Sequence, residues 1–240
     1  MTATWVVLAG GDLAAPSLIR QLVREGASLL CADTGVDHAR ALGLVPQVLV
    51  GDWDSASPQS LQWAKDRGAE IHTHPVVKDA SDLELAFQFL LQKHGLEDRH
   101  GTLSKKEAAP SLELHVFGAT GARLDQTMAS LLLLPLMEEK GVTVHLHAPG
   151  WLIRALGPFR PRLTLPARPG ALLSLVPLDP YCRGVTLEGT RYPLQEAVLS
   201  RSSTLATSNE VKESSVSVTL REGILLLFLE ERDPSSPKEA

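Results

Sequence analysis

The feature that most restricts this chain is a change of period near residue 150. Up to that point short apolar runs alternate with segments of helical spacing. WVVLA leads into Leu18, Leu22 and Val23, helically spaced between Ala15 and Glu25. SLLCA precedes VDHARAL, QVLV precedes PQSLQWAKDRG, and EIHTH precedes LELAFQFLLQKH. ELHVFGA is followed by a helical pattern from about Asp125 to Lys140, and VTVHLHA closes the series. Apolar strands separated by helices predict a parallel sheet covered by helices. After Trp151 the pattern is strand-like only: RLTL, ALLSLVP, GVTLEG, SVSVTL and GILLLFLEE, separated by Pro, Gly or Ser/Asn clusters. That predicts an antiparallel sandwich or barrel. The expected fold is therefore α/β, with an N-terminal parallel-sheet, three-layer domain over residues 1–150. A C-terminal antiparallel β-sandwich or barrel follows over 151–232, then a flexible tail over 233–240. The charged, turn-rich stretch from Glu97 to Pro110 reads as an exposed loop.

Composition follows the same division. All eight histidines and ten of the twelve aspartates lie before position 148. Residues 1–140 carry 12 Lys/Arg against 18 Asp/Glu, whereas the remainder is nearly balanced. A net charge of −5 argues against a nucleic-acid binder, which needs a basic surface. No apolar run approaches the ~20 residues of a membrane span. The start has no basic region ahead of its apolar stretch, unlike a secretory signal. Cys31 and Cys182 are too few for a disulfide framework, so they are expected to be free thiols packed as small hydrophobes. A soluble, cytoplasmic protein is the expectation, with neither nucleic acid nor membrane as partner.

Aspartates recur just after the predicted strands. Asp33 follows SLLCA, and Asp52 and Asp54 follow QVLV in the string VGDWDS. Ligand crevices of open parallel sheets lie at the carboxyl ends of the strands, so several strands can deliver acids to one edge. Two carboxylates at i and i+2 in a turn can share a hard cation, and oxygen donors with room for water and phosphate suit Mg²⁺. Gly and Asp also favour turns for local reasons, which accounts for GDWDS without any ligand. KDASDLE is similarly double. Ser81 and Glu84 form a capping box, and Asp82 in the first turn suits the helix dipole. Neither role explains Lys78 and Asp79 ahead of the cap.

GATGARLDQT follows the strand ELHVF. Gly118 and Gly121 permit close backbone approach, a helix N-terminus offers N–H groups, and Arg123 supplies a forked cation. These make a phosphate cradle; a tight strand-to-helix turn with a solvated arginine is the plainer alternative. Neither a dinucleotide fingerprint nor a P-loop is present. His72/His74 and His145/His147 are His-x-His pairs on predicted strands, so each pair shares a face. The sequence indicates no third ligand, and ordinary polar strand positions account for them better than zinc does.

In their order and spacing, Gly10-Gly11-Asp12, CADTGVDHARALGLVPQVLVGDWDS, KDASDLELA, GATGARLDQT, and TSNE followed by a strand and Gly223 resemble the thiamine pyrophosphokinase family. The resemblance implies transfer of pyrophosphate from ATP to the hydroxyl of thiamine with Mg²⁺, releasing AMP. It also implies a homodimer with its active site at the subunit interface. Carried over motif by motif, Asp52, Asp54 and Asp82 would hold the metal and act in catalysis with Arg123. Asp33, Gly118, Gly121, Arg123 and Asp125 would belong to the nucleotide site. Tyr192 would pack on thiamine, whose thiazolium cation suits an aromatic face, and Ser208 and Asn209 would help hold it. Ala122 and Gln126 stand where Gly and His are common, Thr34 replaces a frequent glycine, and Trp53 a frequent Phe; none removes a carboxylate. A metal-dependent phosphohydrolase, or a non-catalytic sensor of nucleotide or thiamine diphosphate, would use the same residues.

Overall fold

The computed structural model describes residues 2–97 and 112–231. The expected loop from 98 onward and the expected tail lie outside the described residues. Two compact units are formed, Met1–Leu133 with Val142–Pro149, and Leu134–Gly141 with Gly150–Ala240. This differs from a single cut at 150 by assigning Leu134–Gly141 to the second unit.

The first unit alternates strand and helix as its periodicity requires. Its elements are β1 (Ala3–Leu8), α1 (Pro16–Arg24), β2 (Ser28–Ala32), α2 (Gly35–Leu42), β3 (Val48–Gly51), α3 (Pro58–Lys65) and β4 (Glu70–Thr73). They continue with α4 (Asp82–Lys93), β5 (Leu112–Phe117), α5 (Leu124–Glu139, whose residues from Leu134 on belong to the second unit) and β6 (Thr143–Ala148). The six strands run parallel in the order β6-β5-β1-β2-β3-β4. From β1 to β4 the chain advances in one direction, then returns to lay β5 on the other side of β1. The order therefore reverses between β1 and β5, where such sheets open a ligand crevice.

Side-chain alternation feeds both faces of this sheet. Val6, Leu8, Leu29, Cys31, Leu49 and Phe117 share one core with Ile19 of α1, Val36 and Ala39 of α2, and Ala64 of α3. Leu30 and Val50, pointing the other way, are fully buried as well. There α4 packs along β2 and β3 and buries Leu83, Ala86, Phe87, Leu90 and Leu91. Burial on both faces is why these strands read as unbroken apolar runs. Ser81 caps α4 by accepting from the Glu84 N–H at 3.2 Å, while the Glu84 carboxylate accepts from Gln88. Half of the predicted capping box is thus made. α5 runs on through Pro135.

The second unit is a β-sandwich. Its strands are β7 (Trp151–Leu156), β8 (Arg162–Pro166), β9 (Leu172–Pro177), β10 (Tyr181–Glu188), β11 (Leu194–Ser200), β12 (Asn209–Glu210), β13 (Ser215–Thr219) and β14 (Leu225–Glu230). Two antiparallel groups, β12-β9-β14-β7 and β11-β10-β13-β8, enclose one core that includes Leu173, Leu175, Val185, Leu187, Val216, Val218, Leu225 and Leu227. Sequence periodicity does not reveal three of these strands. Arg154 interrupts the apolar run of β7, β11 is an edge strand with all but one of its side chains exposed or half-buried, and β12 is two residues long. Cys31 and Cys182 are free and buried, as expected. Among the described residues no helix is long and apolar enough to cross a membrane.

Candidate active site

At the carboxyl ends of β1 and β5 two glycine-containing turns lock together. The Gly11 N–H donates to the Gly118 carbonyl at 2.6 Å and the Asp12 N–H to that of Thr120 at 2.7 Å. A Cβ on Gly11 would fall on the Thr120 carbonyl oxygen, and one on Gly118, at φ +69°, would fall on that of Ala9. Only glycine permits this approach at either place. His38 Nε2 braces the first turn, 2.9 Å from the Gly11 carbonyl, which requires its proton on that nitrogen. The result is a cleft of about 500 Å³ whose lining includes Gly10, Asp12, Asp33, Asp82, Thr120 and Arg123, a size that suits a nucleotide-sized ligand.

Of the acids at two further strand ends, Asp33 lines this cleft, while Asp52 and Asp54 lie outside its lining and gather beside Asp33. Asp33 follows β2 with φ 43°; Asp52 and Asp54 follow β3, flanking Trp53 at φ 66°. One carboxylate oxygen from each of Asp33, Asp52 and Asp54 lies within 4.8 Å of the others. Positive φ at two non-glycine residues beside one acidic cluster is strain of the kind concentrated at functional sites. The turn reading of GDWDS holds: Asp52 Oδ1 accepts from the Asp54 N–H at 3.2 Å, and its other oxygen accepts from the Lys78 ammonium. The Trp53 indole anchors the turn to Thr73 Oγ1 at 3.0 Å.

Lys78 Nζ also donates to Asp82 Oδ1 at 2.8 Å. It therefore joins the strand-end acids to the start of α4. Asp82 is tied in through this lysine, and Asp33 is the third member of the close cluster. Burial alone would lower the Lys78 pKa, but its bonds to Asp52 and Asp82 outweigh that and raise it. The hydrogen bond from Lys78 holds Asp52, only 8% exposed, below the usual carboxylate range. Asp33 is pushed the other way, by burial first and then by the charges of Asp82, Asp52 and Asp54. Its Oδ1 is buried with no hydrogen-bond partner. Lys78 was legible only as an unexplained residue before the cap; its two partners sit 26 residues upstream and one helical turn downstream.

The turn after β5 is more occupied than its sequence suggests. Thr127 Oγ1 accepts from the Gly121 N–H at 3.2 Å. Arg123 lines the cleft, but its fork grips Asp125 at 2.9 and 2.6 Å, with both side chains about two-thirds exposed. That pairing draws the Asp125 pKa down to about 2.

Tyr192, Ser208 and Asn209 lie in the second unit. Asn209, 5% exposed, accepts from the N–H groups of Tyr192 (3.1 Å) and Glu210 (2.9 Å) and donates to the Tyr192 carbonyl (2.7 Å) and Thr190 Oγ1 (3.2 Å). All four of its hydrogen-bonding positions are spent on this chain. The exposed Tyr192 ring carries the Arg191 guanidinium at 5.6 Å. Ser208 is exposed at φ 58°, its N–H bonded to Ser174 Oγ. Of the histidine pairs, His72 is bonded to Glu70 and tilted against Phe89.

Known proteins resemble the chain at both levels. Residues 19–146 match the family model described as the thiamin pyrophosphokinase catalytic domain, and residues 162–225 the one described as its vitamin B1 binding domain. The thiamine pyrophosphokinase of Bacillus subtilis is 25% identical over 196 residues, covering 82% of this chain and 84% of its own. A crystal structure of the Bacillus subtilis protein superposes with TM-score 0.78 at 22% identity, over 95% of this chain and 98% of that one. The thiamin pyrophosphokinase of Candida albicans superposes with TM-score 0.75 at 18% identity, over 96% and 90%.

Proposed function

Since this chain belongs to the thiamin pyrophosphokinase family and is an enzyme of that type, we propose that the acid-lined cleft binds ATP with Mg²⁺ and passes a pyrophosphoryl group to thiamine. The hydroxyl oxygen of thiamine bonds to the β-phosphorus, the bond from that phosphorus to the α–β bridging oxygen breaks, and AMP leaves with the oxygen. The hydroxyl proton is released. The observation that carries this reading is the convergence of Asp33, Asp52 and Asp54 at the carboxyl ends of β2 and β3, with Asp33 lining the cleft beside the β1–β5 reversal.

The donor set fits Mg²⁺: every candidate ligand atom is a carboxylate oxygen, and one of them, Asp33 Oδ1, is buried without a partner. When bound, the ion would neutralise charge building on the bridging and β-phosphoryl oxygens. Asp52 and Asp54 would hold it together with Asp33, while Lys78, itself bonded to Asp82, keeps Asp52 oriented. Gly11 and Gly118 bring backbone close to the phosphates, Gly121 shapes the same turn, and Arg123 exchanges the Asp125 carboxylate for a phosphate. Positioning and electrostatics carry most of a transfer of this kind.

Thiamine recognition falls to residues 151–232, within the second unit, and nucleotide chemistry to the first. Tyr192 offers its face to the thiazolium, and Ser208 offers its exposed hydroxyl. Asn209 acts by fixing the Tyr192 backbone. A cytoplasmic homodimer with interfacial sites belongs to the same reading. Its support is the exposed apolar stripe Leu124, Met128 and Leu132 on α5, unusual on a lone soluble chain.

Nucleotide product analysis tests the proposal. Purified protein given ATP, Mg²⁺ and thiamine should yield AMP and thiamine diphosphate in equal amounts, and EDTA should stop turnover. ADP as product would refute the β-phosphorus attack. Phosphate release without thiamine would indicate a phosphohydrolase, and binding without product a sensor.

A further inference from the structure

On one face of the first unit's sheet, β5 and β6 gather side chains that the proposed transfer does not use. Parallel register sets His115 beside His145 and Phe117 beside His147. Period-two alternation puts Glu113, His115 and Phe117 on a single face with both histidines of β6. His145 Nε2 lies 2.8 Å from Glu113 Oε1, and His115 Nε2 lies 3.7 Å from the same oxygen. One ligand atom from each of the three lies within 4.8 Å of the others. Their side chains are 33% (Glu113), 13% (His115) and 18% (His145) exposed, so they are held in place and mostly covered but not sealed from solvent. The imidazoles stack: His115 lies 4.5 Å from His145 at 11° and 5.4 Å from His147 at 9°, and His147 lies 4.5 Å from Phe117 at 10°.

We propose that Glu113, His115 and His145 form a binding site for a divalent transition-metal ion, with Zn²⁺ as the type ion and His147 as a positioning residue. Two imidazole nitrogens and one carboxylate are a zinc donor set, leaving a fourth position for water. Mg²⁺ prefers oxygen alone, so this site and the aspartate cluster select different ions. His115 Nδ1 lies 3.1 Å from His147 Nε2. With its proton on Nδ1 donated to His147, His115 turns the lone pair of Nε2 toward the Glu113 carboxylate. Glu113 Oε1 lies 3.7 Å from that nitrogen, a separation that an ion held by both would bridge. Tetrahedral ligation at ~2.0–2.1 Å sets ligand atoms roughly 3.3 Å apart. The shorter separation must open, and the longer one close, by about half an ångström each, which rotamer adjustment supplies. The ion cross-links β5 to β6.

The test is zinc titration of full-length protein stripped with chelator, with metal counted after dialysis and Co²⁺ substituted for its visible spectrum. One Zn²⁺ per chain should be retained by the wild type and equally by the Asp52→Asn/Asp54→Asn variant, and Zn²⁺ should raise the melting temperature of both. His145→Gln, His115→Gln and Glu113→Gln should each raise the dissociation constant at least about 100-fold, as loss of a direct ligand implies. His147→Gln should raise it about 10–100-fold and shift the Co²⁺ bands, the mark of a lost outer partner. Unliganded melting temperatures verify folding. If His145→Gln does not fold, Glu113→Gln, which keeps the stacked rings, decides. Failure of the wild type to retain zinc overturns the proposal. So does retention unaffected by His145→Gln or Glu113→Gln, or retention that follows Asp52 and Asp54.

Discussion

Replacing Lys78 with methionine isolates the electrostatic device at the centre of the acidic cluster. The lysine is the cation bonded to Asp52 and Asp82, with side-chain exposures of 14%, 8% and 28% in that order. Removing one partner of a buried ion pair costs ~3–5 kcal/mol, because the remaining charge is left desolvated. Asp82 can recover part of that from water, so about 2–4 kcal/mol is expected here. For a chain of this size that lowers the melting temperature by roughly 5–15 °C. The pH dependence supplies a second signature. Asp52 titrates below its ordinary value because of Lys78. Its contribution is therefore complete above the unfolded carboxylate pKa of ~3.9 and is lost as pH falls through the folded value. Lys78 is raised, so its share persists to the unfolded pKa of ~10.4 and is lost only as pH climbs through the folded value. The gap between wild type and Lys78→Met should be flat from about pH 6 to 9 and should narrow below about pH 4. Urea unfolding across that range measures it. Millimolar Mg²⁺ should recover more stability in the variant than in the wild type, since it meets four carboxylates without their ammonium. A difference under about 0.5 kcal/mol at pH 7, the usual scatter of surface substitutions, would refute the reasoning, as would a gap that widens in acid.

Asp33→Asn should stabilise the metal-free protein by about 1 kcal/mol at pH 7, since it removes a buried, repelled charge and asparagine tolerates the positive φ. Because the Asp33 pKa is raised, that advantage should be full above the folded value and vanish below the unfolded one, while the Mg²⁺ requirement for turnover rises. Asp54→Asn, at an exposed position, should leave the melting temperature within a degree or two but lower kcat by about 10²–10³, the scale of losing one electrostatic partner of the transition state; an unfolded variant would instead favour the turn reading of GDWDS. Asn209→Ala removes four internal hydrogen bonds and should cost ~2–4 kcal/mol in unfolding assays, with KM for thiamine rising more than KM for ATP. Arg123→Ala should raise KM for ATP about tenfold, the effect of one charge-assisted contact, without moving the melting temperature.

Much of the architecture is local in origin and so was readable. Apolar runs buried on two faces mark β1, β2, β3 and β5, and Ser81 three residues ahead of Glu84 marks the start of α4. The acids after β2 and β3 were placed correctly at strand ends for the same reason. β7, β11 and β12 escaped because an arginine, an exposed edge and a two-residue length erase the alternation that identifies a strand. Asn209 was readable as part of a motif, but its role was not. Only the structure shows its amide spent on the Tyr192 and Glu210 backbone.

The chain's own order of residues settled the change from mixed to all-β architecture and the family's motifs, since both depend on neighbours within a turn or two. Which groups touch was settled by packing. Asp33 joins Asp52 and Asp54, Lys78 links Asp52 to Asp82, and His115 meets His145 from a strand some thirty residues away. Contacts of that kind depend on strand order and register, which arise from how whole faces bury against one another and not from any short stretch of chain.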